Sequence, residues 1–320
     1  MSSLLALSNR SVSLNKAAMK ETRRQVQAEH VQEAANSFRQ LPGLEESFLD
    51  VTRATFAVGY LKGYYSSRVL LEMFDSLGRL DWTLDGCNEI VKWNKAERFG
   101  VGEMKEPTTR FSQLPVVSFL HKLRDERPAA AASPQFQQMW SRIASPTFRA
   151  IVTRTPLEID SAFRNEKLYA VDASLSYDEH RRNVFCWRDK WTSDGDKEKW
   201  LFIPVDRNNE SVYIRSVYSQ EYLYAADYAK LDADEHGRIR SRVFTWRPKD
   251  KPDRMCEWVV VSLDNESFAL YNPAQRQFLY APDDTRDDRR RFVFTAEHLP
   301  LSYPWLNERR WHLKPAYDTI

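Results

Sequence analysis

Near Thr155-Pro156 the spacing of apolar residues changes from that of a helix to that of a strand, and beyond it one unit recurs three times. Those two observations predict an α+β chain in two parts. Residues 1–155 would form an all-α N-terminal bundle, and residues 156–320 an all-β β-trefoil of three four-stranded repeats.

In the first part, Met19, Val26, Val31, Ala34, Phe38 and Leu41 recur at helical spacing over Asn15–Leu41, and Pro42-Gly43 ends the pattern. A second helix is expected over Leu44–Leu77 and a third over Trp82–Phe99, with shorter ones at Val116–Arg124 and Gln135–Ile143. Pro128-Ala-Ala-Ala-Ala-Ser-Pro134 has the composition of a connector.

In the second part, each unit opens with apolar residues two apart: Leu157 and Ile159, Val212 and Ile214, Phe268 and Leu270. The tripeptide Leu-Tyr-Ala follows at Leu168, Leu223 and Leu279, at intervals of 55 and 56 residues. Val-Phe comes next, at Val184, Val243 and Val293. Trp200, Trp258 and Trp311 close the units with a Trp-x-apolar pattern. A four-stranded unit cannot bury its apolar face alone, so three must share one core. The three closing tryptophans are expected in that core, each against the Val-Phe strand of its own unit.

The net charge is +2, with 21 Lys/Arg against 16 Asp/Glu in residues 1–155 and 26 against 29 in the remainder. That balance does not call for nucleic acid. The most apolar run, Ala54–Leu61, is too short to cross a bilayer, which needs about 20 residues. The first residues lack a basic segment followed by an apolar one, so no secretory signal is read in the chain as it stands. Cys87, Cys186 and Cys256 are too few for a disulfide framework. A Cys186–Cys256 bridge is weighed against buried thiols, and the thiols are expected.

No catalytic motif is found. The sequence has no glycine-rich phosphate loop, no Gly-x-Ser-x-Gly and no His-Glu-x-x-His, so neither enzymatic activity nor a cofactor or metal is expected. Asp178-Glu179-His180 and Asp234-Glu235-His236 carry metal-ligand residue types but read as solvated acidic loops. Trp191 and Trp305 fall outside the repeat and are candidate surface aromatics for a protein or a sugar. Arg289, Arg290 and Arg291 are candidate anion contacts, close to four aspartates that would neutralise them. Asn209 and Asn265 fit the glycosylation pattern in turns that join the repeats.

The Trp-x-apolar endings resemble those of ricin-type lectin domains, which end in Gln-x-Trp. Glu198, Cys256 and Arg309 hold the glutamine position here, a departure in all three units. Trp200-Leu-Phe-Ile-Pro204 and Trp311-His-Leu-Lys-Pro315, with the helical-then-repeated layout, are similar to the insect 30-kDa haemolymph lipoproteins; Trp258-Val-Val-Val-Ser262 departs from that ending. The layout also resembles the labrum-interacting proteins of mosquito saliva. That resemblance implies a secreted, non-enzymatic protein that meets cuticular protein, with any signal peptide already removed. The expected function is therefore an extracellular protein-binding role. A glycan-binding lectin and a lipid carrier are the alternatives.

Overall fold

The structure, a computed structural model, describes residues 113–188, 196–205, 211–231, 239–263, 267–297 and 307–317, together with Leu71, Asp75, Leu84, Cys87 and Asn88. The described residues fall into two compact units.

The first unit holds three helices: α1 (Leu114–Glu126), α2 (Pro128–Ala131) and α3 (Pro134–Ile143). Proline opens α2 and α3, where its missing N–H costs nothing and its fixed φ suits a first turn. The expected connector at Pro128–Pro134 is thus partly helical. Phe119, Leu120 and Leu123 of α1 are buried, as are Phe136, Met139 and Trp140 of α3. Phe136 stacks on Trp140 at 6.4 Å, and the Arg124 guanidinium lies 4.9 Å from the Trp140 ring. The helices expected over Asn15–Leu41, Leu44–Leu77 and Trp82–Phe99 lie outside the described residues, save for Leu71, Asp75, Leu84, Cys87 and Asn88, which are helical.

The second unit holds a fourth helix and every strand. Helix α4 (Pro146–Val152) was not foreseen. Ser145 caps it, its side chain accepting the Phe148 N–H. Thr147 Oγ1 donates to the Leu313 carbonyl at 2.7 Å, and Phe148 packs edge-on against Phe268 at 5.8 Å. The strands are β1 (Leu157–Ser161), β2 (Lys167–Ala170), β3 (Arg181–Trp187), β4 (Lys199–Pro204), β5 (Ser211–Ser216), β6 (Tyr222–Leu231) and β7 (Arg240–Trp246). They continue with β8 (Glu257–Ser262), β9 (Phe268–Asn272), β10 (Gln277–Tyr280), β11 (Thr285–Asp287), β12 (Arg290–Phe292), β13 (Phe294–Glu297) and β14 (Trp311–Pro315).

The expected fold class, a helical bundle followed by a trefoil of three four-stranded repeats, is corrected. The described residues are mostly β, with four helices, and all fourteen strands join in one antiparallel sheet. The strands do not divide evenly. Two stretches supply β1–β4 and β5–β8, but the last supplies six, β9–β14. In the last stretch the Val-Phe strand is interrupted at Val293. Before it, β12 pairs with β3; after it, β13 pairs with β7 and β10; and β11 and β12 make a small hairpin of their own. The corresponding strands β3 and β7 also change neighbours along their length but run unbroken.

The pairings β1–β4, β4–β5, β5–β8, β8–β9, β9–β14 and β14–β1 return to their start, so these six strands close a ring without a free edge. Trp200, Trp258 and Trp311 are wholly buried there. Each indole N–H donates to the Leu-Tyr-Ala leucine carbonyl of its own unit: Leu168 at 2.9 Å, Leu223 at 3.0 Å and Leu279 at 3.1 Å. The turns that follow β1, β5 and β9 are also alike. Asn165, Gln220 and Arg276 all adopt positive φ, of 54°, 60° and 58°, a conformation any side chain with a Cβ resists.

Candidate functional site

Two residues before each Leu-Tyr-Ala stands a long polar side chain: Glu166, Glu221 and Gln277. All three are buried. Glu166 takes a two-pronged contact from Arg291, with Nε at 2.7 Å and Nη2 at 3.1 Å, and Arg291 Nη1 also donates to the carbonyls of Pro282 and Asp283. Glu221 accepts from Arg182 at 2.8 Å and from Thr245 at 2.7 Å. Gln277 is neutral and accepts from Thr295 at 2.6 Å. Arg182 and Arg291 each stand two residues before a Val-Phe pair. The two charged links therefore join strands from different repeats. Burying such charges is tolerable only because each is fully paired.

Above these links runs a seam of arginines and aromatic rings. Arg181 lies 5.7 Å from the Phe244 ring, Arg240 lies 4.6 Å from Phe294, and Arg286 lies 5.3 Å from Phe185. Strand alternation produces the arrangement, since residues two apart share a face. Tyr177 belongs to this seam and is 46% exposed. Its ring packs on Phe244 at 4.6 Å, with Arg181 at 5.1 Å and Arg242 at 5.6 Å. Arg181 also donates to Asp178 at 2.6 Å, and that bond holds the Asp178 carboxyl below the usual carboxylate range. Arg242 makes no ion pair among the described residues.

At the other end of β3 the register sets a different row. Lys167 and Arg290 both face Trp187, so one residue on, Glu166, Arg188 and Arg289 lie side by side across three strands. The Arg188 N–H donates to the Arg289 carbonyl at 2.9 Å. Arg188 Nε is 3.7 Å from Glu166, whose two oxygens are already taken by Arg291. The Asp287 carboxylate accepts the Arg289 backbone N–H at 3.0 Å and Arg290 at 2.9 Å. Arg164, also near Glu166, reaches Asp283; burial, then the neighbouring Arg291, lowers its pKa below the usual guanidinium value.

The candidates named from the sequence are thus dispersed. Arg289 is exposed, Arg290 is half-buried against Trp187 at 6.0 Å, and Arg291 is 4% exposed, inside the sheet rather than on its surface. Trp191, Trp305, Asn209 and Asn265 lie outside the described residues, as does Asp234-Glu235-His236. Asp178-Glu179-His180 is a local turn: the His180 N–H donates to Asp178 at 2.9 Å, and the His180 ring is 2.7 Å from Glu179. Among the described residues no group of three or more His, Cys, Asp and Glu side chains could hold a metal ion. Cys87, Cys186 and Cys256 are free and buried. Burial pushes the Cys87 thiol up to about 12 and raises the other two as well. The signal that would have found the buried pairs was present: glutamate two residues before Leu-Tyr-Ala, and arginine two residues before Val-Phe.

No family model matches the chain, and no curated protein matches it. Solved structures that resemble it include a Caenorhabditis elegans protein of unknown function, 14% identical, with a TM-score of 0.39 over 50% of this chain and 93% of that one. A Culex quiquefasciatus salivary protein of the Cysteine and Tryptophan-Rich family is 16% identical, with a TM-score of 0.38 over 51% of this chain and 94% of that one. The ricin B-like lectin of Macrolepiota procera, solved with lactose, is 13% identical, with a TM-score of 0.35 over 50% of this chain and 95% of that one. Among the described residues no helix is long and apolar enough to cross a membrane.

Proposed function

We propose that the chain is a non-enzymatic secreted binding protein that engages a protein partner, such as a cuticular protein, through the seam around Tyr177. The observation that carries this reading is the half-exposed Tyr177 ring, backed by Phe244 at 4.6 Å and flanked by Arg181 and Arg242 at 5.1 and 5.6 Å. Rigid aromatic and arginine side chains gathered in one place are what dominates protein interfaces energetically. The non-enzymatic part rests on the sequence, which carries no glycine-rich phosphate loop, no Gly-x-Ser-x-Gly and no His-Glu-x-x-His. The cuticular partner and the extracellular setting are taken from the resemblance to salivary proteins read on the sequence.

Immobilised protein should bind a cuticle extract from the native tissue, and Tyr177→Ala or Arg242→Ala should weaken that binding about tenfold or more. A saccharide bound on a glycan array and lost in Tyr177→Ala would make the seam a sugar site and end the protein-partner reading. An acyl chain in an organic extract of the native protein would favour a carrier instead. A mass decrease on enzymatic deglycosylation at Asn209 or Asn265 checks secretion.

A further inference from the structure

The row Glu166–Arg188–Arg289 breaks a rule that the rest of the sheet keeps. Like charges directly opposite one another on paired strands repel, and natural sheets avoid them. The equivalent row in the second repeat is Glu221–Arg247–His180, with one strong cation, and Arg247 donates to the Ser219 carbonyl at 2.9 Å. The third row, Gln277–Glu297–Ile239, has no cation. Only the first sets two guanidinium-bearing residues side by side, joined by the 2.9 Å bond from the Arg188 N–H to the Arg289 carbonyl. Of the nearby carboxylates, Asp288 makes no ion pair among the described residues and the others are engaged. Glu166 is held in a two-pronged contact by Arg291, Asp287 by Arg290 and the Arg289 N–H, and Asp283 by Arg164. Arg289 has no ion-pair partner among the described residues, and both Arg188 and Arg289 reach solvent.

We propose that Arg188 and Arg289 form a binding site for a doubly charged tetrahedral oxyanion, a sulfate or phosphate group. The two residues sit just beyond the ends of neighbouring strands, their backbones joined by the 2.9 Å bond, and both reach solvent, so a dianion bound between them neutralises both at once. A carboxylate would leave one positive charge uncompensated. Arg188 shares Glu166 with Arg291, at 3.7 Å, and donates to the Asp287 carbonyl at 3.4 Å. Arg289 has no counter-charge among the described residues, and a ligand can supply it from outside. The site stands apart from Tyr177, at the opposite end of β3, and does not depend on the protein-partner reading.

Thermal unfolding in sodium sulfate or phosphate, against sodium chloride at equal ionic strength, tests the site. A saturable rise in midpoint is expected for the wild type. Arg188→Ala and Arg289→Ala should each weaken the fitted affinity about tenfold or more, while Arg247→Ala leaves it unchanged. In chloride alone Arg289→Ala should melt no lower than the wild type, because it removes a repulsion, and this exposed position guards against an Arg188 variant that fails to fold. A sugar sulfate monoester that binds more tightly than the free ion would assign the group to an esterified ligand; binding of the free ion alone would assign it to an inorganic one. A response that does not saturate, or one lost equally in Arg247→Ala, overturns the proposal.

Discussion

Replacing Trp258 by phenylalanine and by alanine separates two contributions carried by one side chain. Trp258 is wholly buried, and its indole N–H donates to the Leu223 carbonyl at 3.0 Å. Alanine removes the ring and leaves a cavity, a loss of about 3–5 kcal/mol. It also strands the Leu223 carbonyl, which adds about 1–3 kcal/mol. Phenylalanine keeps most of the apolar contact, so its cost should approach that second figure alone. Against a total stability of about 5–15 kcal/mol, the alanine variant would be close to unfolded. Trp246, half-buried and 5.6 Å from Tyr224, supplies the comparison and should cost about 1–2 kcal/mol on truncation. Chemical denaturation with equal slopes measures all three. Since Trp200 and Trp311 make the same bond, their phenylalanine variants should agree with that of Trp258 to within about 1 kcal/mol. If Trp258→Phe matches the wild type, the carbonyl bond contributes nothing; if Trp258→Ala costs less than Trp246→Ala, the core has been misplaced.

Arg291→Ala should cost about 3–5 kcal/mol in denaturant because it leaves the buried Glu166 with only the looser contact to Arg188 at 3.7 Å, and adding Glu166→Leu should recover part of that loss. Glu198 has a buried oxygen without a partner, and burial raises its pKa above the usual value despite the attraction of Lys167. A raised carboxyl pKa means that the charged form opposes folding at neutral pH and that this opposition fades as pH falls and the group protonates. Glu198→Gln should therefore raise the melting midpoint at pH 7, with the difference from wild type closing as pH drops through the carboxylate range. The three thiols should stay unreactive toward a thiol reagent at mildly alkaline pH until denaturant is added, because burial keeps them protonated.

Much of the sheet could be read from the residues. Alternation two apart at Leu157 and Ile159 and at Val212 and Ile214 falls within β1 and β5, and the recurrent tryptophans occupy equivalent buried places. What escaped was the third Val-Phe region. Residues Arg290 to Glu297 have the composition of one strand, and nothing in the local pattern marks the interruption at Val293 that divides them into β12 and β13. Helix α4 escaped because its seven residues are too few to show a clear period. Three consecutive arginines look like a solvated face when read along the chain. Strand alternation instead turns Arg291 inward to Glu166 and leaves Arg290 half-buried over Trp187, so of the three only Arg289 is exposed. The row of Arg188 and Arg289 needs the pairing of strands from distant repeats, which no local pattern contains.

The ring closes where β1 meets β14, and Asp160 and Lys314, joined there at 2.8 Å, are 154 residues apart in the chain. During synthesis β1 therefore waits for one of its two ring neighbours until the whole intervening stretch has been made. Until then Leu157 and Ile159 present an unpaired edge, the kind of surface that invites pairing with another chain. Closure over so long a loop also makes folding slow relative to a helical unit of similar size. A nascent chain of this protein is thus most vulnerable to aggregation late in translation, when nearly all of its sheet exists but the seam has not been sealed.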